Sequence, residues 1–138
     1  MSNEVIGLDA CATKIVDQAR VEAARARLLP EDDLAGLTQL FRLLGDVTRA
    51  RLLYALLEAG ELCVCDLAAV TDTPETNVSH ALRLLRTARV VKARRDGRMM
   101  FYSLDDAHVR MLLDLSREHL RHSDEGPNPR SRLERTAR

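Results

Sequence analysis

The chain has 138 residues, 46% of them hydrophobic and only 3% aromatic, with a formal net charge of zero. That length allows one domain with a real core plus short tails, and the Leu- and Ala-rich composition favours helices packed through leucine faces. No stretch approaches the ~20 apolar residues a bilayer span needs, the Met1-Ser2-Asn3-Glu4 start lacks signal-peptide character, and three cysteines make no disulfide framework, so a cytoplasmic protein with free thiols and no membrane partner is expected.

Residues 1–12 read as weakly structured, and the Ala-, Arg- and Glu-rich run from Ala12 to Leu29 as a helix ended by Pro30. Asp32 or Asp33 can cap the next helix, where Leu34, Leu37, Leu40, Phe41 and Leu44 form one apolar stripe. Gly45-Asp46 breaks it. Val47 to Glu58 is another helix, with Leu52, Leu53, Leu56 and Leu57 inward and Gly60 as its stop. A short helix around Asp66–Val70, a polar turn and a helix from Glu75 to Thr87 read as a helix-turn-helix. Val78, Leu82 and Leu85 would be the second helix's buried side, leaving Thr76, Asn77, Ser79, His80 and Arg83 outward.

Two strand-like runs, Val90–Arg95 and Met99–Leu104, flank Asp96-Gly97, a hairpin signal. A basic hairpin after a helix-turn-helix is a wing. From Thr76 to Arg98 the chain carries a net +6, a local footprint suited to a polyanion. A last helix runs from about Asp105 to His122, and Ser123 to Arg138 reads as a disordered tail. The organisation expected is an N-terminal arm and helix (1–30), a winged helix-turn-helix with a C-terminal dimerisation helix (31–122) and a tail (123–138). The fold class is mainly α with a small β-hairpin wing.

Asp106, His108, His119 and His122 pose a geometric problem. At about 100° and 1.5 Å per residue, the three histidines project from one helix face, yet His108 and His119 are about 16 Å apart along it. Zinc–nitrogen bonds are ~2.0–2.1 Å, so one helix cannot gather them. An antiparallel copy of the same helix can: His119 and His122 of one chain then lie beside Asp106 and His108 of the other, giving two identical sites in an isologous homodimer. Two or three histidines and a carboxylate suit Zn(II) or Co(II). The alternative is surface histidines with Asp106 as a helix cap.

Cys63 and Cys65 form a second candidate site. In an extended or helix-start segment both thiols can reach one ion, and a helix N-terminus lowers a thiol's pKa. Cys11 is the remaining thiol. Cysteine is also a common small core residue, so packing competes with ligation.

The stretches "LGDVTRARLLYALL", "ELCVCDLA" and "NVSHALRLLRTARVVKARRDGRMMFYSL" and the D-x-H-x10-H-x2-H spacing of the last helix together resemble the ArsR/SmtB family of metal-sensing winged-helix repressors, over about Leu34 to His122. The resemblance implies a homodimer that holds an operator when metal-free and releases it on binding metal. It implies a zinc site of Asp106, His108, His119 and His122 across the dimer. It also implies a soft-metal site of Cys63 and Cys65 with Cys11 from the arm. The cadmium/lead sensors have a second arm cysteine, missing here, which leaves open a four-coordinate site completed by Asp9 or water or a three-thiolate site for As(III), Sb(III), Pb(II) or Cd(II). The effector would be Zn(II), Cd(II) or Pb(II), with no organic cofactor, and the regulated genes would serve metal resistance or efflux. A relay role for His80, linking the last helix to the recognition helix, is implied too.

In such a repressor Thr76, Asn77, Ser79, His80 and Arg83 enter the major groove, while Arg94, Arg95 and Arg98 grip phosphates or the minor groove of a pseudo-palindromic operator. Two rival regulators use the thiols instead: an As(III)/Sb(III) sensor with three cysteines, and an oxidant sensor. A zinc enzyme would need an open coordination position, a general base and a pocket. Glu118 is next to His119 but points to another helix face, and no insertion builds a pocket. A metal buffer without DNA function fits poorly with the basic recognition helix.

Overall fold

A computed structural model of the chain describes Lys14 and residues 16–124. The weakly structured segment expected over residues 1–12, Cys11 and nearly all of the expected tail lie outside the described residues. Contacts divide the chain into two units, one up to Thr38 and one from Gln39 onward.

In the first unit, helix α1 (Gln18–Ala26) is shorter than the expected Ala12–Leu29. It starts where Asp17 accepts a hydrogen bond from the Arg20 backbone N–H at 3.0 Å, satisfying one of the donors every helix start leaves free. Its chain turns at Arg27 and Leu28, whose N–H groups bond back to Ala24 and Arg25. Helix α2 (Glu31–Leu44) begins right after Pro30, earlier than a cap at Asp32 or Asp33 would set it. Glu31, Asp32 and Asp33 all lie in its first turn, where acids favour the helix dipole.

The second unit takes in the last part of α2, from Gln39. Gly45 closes that helix through an N–H bond to the Phe41 carbonyl at 2.9 Å, and Asp46 caps α3 (Val47–Ala59) by accepting from Arg49 N–H at 3.0 Å. Gly60, at φ +86°, ends α3 in a conformation that needs no Cβ. There follow β1 (Glu61–Cys63), α4 (Val64–Thr71), α5 (Glu75–Thr87), β2 (Val91–Asp96), β3 (Met99–Leu104) and α6 (Ala107–Asp124). The strands form one antiparallel sheet in the order β1-β3-β2.

The helix-turn-helix and the hairpin stand as the sequence indicates, with two differences. Strand β1 was not expected; three residues are too few to show a two-residue period. The hairpin turn is Gly97-Arg98 rather than Asp96-Gly97, since Asp96 still pairs with Met99. Gly97 takes φ +61° at the first turn position, where a Gly-X two-residue loop requires it. Helix α6 also outlasts its expected end by two residues, to Asp124, so Ser123 belongs to the helix rather than the tail.

One core holds this unit together. Leu52, Leu53 and Leu56 of α3, Leu67 of α4, and Val78, Ala81, Leu82 and Leu85 of α5 pack with Val90, Val91, Leu104 and Leu113. Each fully buried leucine contributes about 1.5–3 kcal/mol relative to exposure. Burying this face of α5 leaves the opposite face free for function. Of the stripe foreseen on α2, the part in this unit is used by Leu40 and Leu44, which pack against the core, whereas Phe41 stays exposed.

Candidate DNA interface and metal centres

The turn between α4 and α5 sets the angle of the second helix. Asp72 adopts a left-handed conformation at φ +50°, and Thr73 N–H reaches back to the Ala68 carbonyl at 3.0 Å. Thr71, the one buried polar residue among the described residues, satisfies its hydroxyl on the Leu67 carbonyl at 2.6 Å. Pro74 then accepts from both Asn77 and Val78 N–H at 3.0 Å and launches α5. With Val78, Leu82 and Leu85 buried, Thr76, Asn77, Ser79, His80 and Arg83 all lie exposed. Among the described residues, no hydrogen bond or ion pair joins His80 to α6.

Arg94, Arg95 and Arg98 are all exposed on the hairpin. Arg94 differs from the other two: its guanidinium forks onto the Glu61 carboxylate of β1. That hydrogen bond holds the Glu61 carboxyl below its ordinary pKa, with the charges of Arg94 and Lys92 adding to it.

Asp106 is the cap of α6, accepting from Val109 N–H at 3.0 Å. This backbone bond first, and His108 next, hold its carboxyl below the usual carboxylate range. His108 Nδ1 lies 3.6 Å from Asp106 Oδ2, so cap geometry brings these two donors together although they are two residues apart. His119 and His122 stand in the last turns of the same helix, exposed like His108. Glu118 does not point away from the histidines as a whole: its Oε1 lies 3.2 Å from His122 Nε2, because a spacing of four returns to the same face. Among the described residues of one chain, no cluster of three or more His, Cys, Asp or Glu side chains gathers. The two halves of the α6 donor set remain at opposite ends of one rod.

The thiols divide unequally. Cys63 ends β1 and is buried at 5% exposure; Cys65 lies exposed in the first turn of α4. The helix start was expected to lower the thiol pKa. At Cys65 the reverse holds, because the Glu75 carboxylate beside it pushes the thiol up, with burial and the charges of Cys63 and Asp66 adding.

The family model described as "Bacterial regulatory protein, arsR family" matches residues 46–93, from the cap of α3 into β2. The chain is 34% identical to the cadmium resistance transcriptional regulatory protein CadC homolog of Staphylococcus aureus, over 82% of this chain and 93% of that one. It is 41% identical to the transcriptional repressor SmtB homolog of Synechocystis, over 83% and 86%. The chain belongs to the arsR family. It is therefore a winged helix-turn-helix transcriptional repressor and not an enzyme.

Solved structures agree on the fold of this arsR-family chain. The antimony-specific transcriptional repressor AntR superposes with a TM-score of 0.65 at 32% identity, covering 72% of this chain and 89% of that one. The homodimeric winged helix-turn-helix domain Mb0332 of Mycobacterium bovis does so at 0.60 and 25% identity, covering 69% and 84%. Cadmium and antimony both stand in the names of these relatives, so family membership alone does not assign the effector.

Sequence reasoning missed the residues that anchor the arsR-family elements to one another. Tyr54 of α3 donates its hydroxyl to the Leu113 carbonyl of α6 at 2.9 Å. Arg117 of α6 pairs with Glu58 of α3 and with Asp114. The two partnerships between α3 and α6 each join residues 59 apart in the chain, beyond any local pattern.

Proposed function

We propose that this arsR-family regulator is a metal-responsive repressor whose metal-free homodimer holds a pseudo-palindromic operator and releases it on binding Zn(II), Cd(II) or Pb(II), switching on metal-resistance or efflux genes in the cytoplasm. One observation carries the metal half: Asp106 and His108 are paired at one end of α6, His119 and His122 are exposed at the other, and no single chain unites them. An antiparallel copy of α6 supplies what each end lacks. The donor types fit zinc, which would act by pinning two subunits together. Residues 31 to the end of α6 at Asp124 would form the working domain, with residues 1–30 as an N-terminal arm and helix and the residues beyond 124 as a tail.

For DNA, Thr76, Asn77, Ser79, His80 and Arg83 are the residues of α5 free to meet base edges, with Arg95 and Arg98 of the wing reaching the backbone. Metal and operator are then negatively coupled in both directions, as linkage requires. Metal across the α6 pair holds the two α5 helices at a spacing that misfits successive grooves. His80 would serve either the DNA contact or a relay to α6.

A second reading uses Cys63 and Cys65 with Cys11, as an As(III)/Sb(III) site or an oxidant sensor. The exposed Cys65 and the likeness to an antimony-specific repressor favour it.

The deciding experiment titrates Zn(II), Cd(II), Pb(II) and As(III) into the operator-bound protein. It compares wild type, Cys63→Ser/Cys65→Ser and His119→Ala. Loss of zinc-driven release in His119→Ala, with the serine variant still responding, supports the α6 site. Loss of response only in the serine variant assigns sensing to the thiols. Operator affinity unchanged by any metal rejects the metal reading.

A further inference from the structure

Arg94, though exposed, is occupied by partners of its own chain. Its Nε donates to Glu61 Oε2 at 3.2 Å and its Nη2 to Glu61 Oε1, a two-pronged fork onto one carboxylate. Its guanidinium carbon sits 5.1 Å from the centre of the Phe101 ring, within cation–π range. Asp96 lies 3.9 Å from Nη1. Fork and ring together fix both the plane and the position of the guanidinium.

The strand register explains the arrangement. Cys63 stands opposite Phe101, and Phe101 opposite Arg94. Directly opposed residues share a face of an antiparallel sheet, and so do residues two apart on a strand, which adds Glu61. On the other face Val91 belongs to the core, and the half-buried Leu62 and Tyr102 pack against it. Cys63, though buried, is not part of that core cluster. One sheet face thus carries a row running from Cys63 through Phe101 to Arg94, closed by Glu61.

We propose that Arg94 is a positioning residue of the wing rather than a contact to DNA: Glu61 and Phe101 hold it so that β2 and the Gly97-Arg98 turn keep a fixed orientation on β1, the strand that ends in Cys63. This rests on the DNA reading above, and the two fail separately. The charge logic separates them. If Arg94 reached a phosphate, Glu61 would compete with DNA for it, and removing the carboxylate would tighten binding. If Arg94 positions the wing, removing the carboxylate loosens it.

The test uses the full chain and a duplex operator recovered by selection from a random-sequence pool. Operator affinity is measured across a salt series for wild type, Glu61→Gln, Arg94→Ala, the double variant and Arg98→Ala, with thermal melts confirming the fold of each. Arg98→Ala is expected to flatten the salt slope by about one per lost phosphate contact. Arg94→Ala and Glu61→Gln are each expected to weaken binding about fivefold at every salt concentration while keeping the wild-type slope. The double variant should be no weaker than Arg94→Ala. Arg94→Lys keeps the charge and loses the fork; it should weaken binding too, and wild-type affinity there would overturn the proposal. Tighter binding by Glu61→Gln, or a slope flattened by Arg94→Ala as by Arg98→Ala, overturns it as well. Wild-type protein that binds no duplex at any salt sinks the DNA reading itself, and the positioning role with it.

Discussion

At the scale of single residues, Asp106 caps α6 and, under the proposed function, also ligates metal, two roles that a choice of substitution can separate. As a cap it needs only a side-chain oxygen facing Val109 N–H, which it holds at 3.0 Å. As a metal ligand it needs a charge. Asparagine caps about as well as aspartate, whereas alanine offers no acceptor. Asp106→Asn is therefore expected to melt with wild type but to lose zinc-driven release of DNA. Asp106→Ala should lose release and also melt a few degrees lower. Paired melting curves and zinc titrations check both; full zinc response in Asp106→Asn would remove this carboxylate from the ligand set. The cysteines carry a related lesson. Spacing placed two thiols together, but the step from strand to helix between them buries one and exposes the other.

At the scale of elements, the end of α5 offers a backbone test. Val90 N–H bonds to the Leu85 carbonyl at 2.9 Å and Arg89 N–H to Arg86 at 3.0 Å, the two bonds of a Schellman cap. That cap places Arg89 at φ +60°, where glycine is usual and a β-branched residue is badly strained. Arg89→Gly is expected to melt at or above wild type. Arg89→Val should be destabilised by about 1–3 kcal/mol in denaturant titration. Equal stability of the two would mean the cap is not maintained in solution. The elements themselves were largely legible. The bounds of α5 and β3 match their sequence patterns because apolar period, Pro74 and the turn residues all act locally. β1 was not, since its pairing with β3 is set by a partner some forty residues downstream.

At the scale of the whole molecule, α6 leaves Met111, Leu115 and Leu120 exposed, the last two lining one hollow with His119. A second copy laid antiparallel would cover these residues while completing the α6 donor sets. Leu115→Glu/Leu120→Glu is expected to sediment as a monomer, with its melting otherwise preserved and its zinc response abolished. Wild type should sediment as a dimer. A dimeric double variant with intact zinc response would move the interface elsewhere and remove the geometric basis for a shared site.

The sequence by itself determined the order of helices, the wing, the outward face of α5 and the family, because periodicity, caps, turns and motif spacing are properties of neighbouring residues. Only the tertiary structure decided that Arg94 turns to Glu61 while Arg95 and Arg98 extend from the hairpin, that Cys63 is buried while Cys65 is exposed, and that α6 is tied to α3 through Tyr54 and Arg117. Those partnerships join residues 33 and 59 positions apart. They arise from strand register and helix packing, which place distant side chains side by side and which no local pattern encodes.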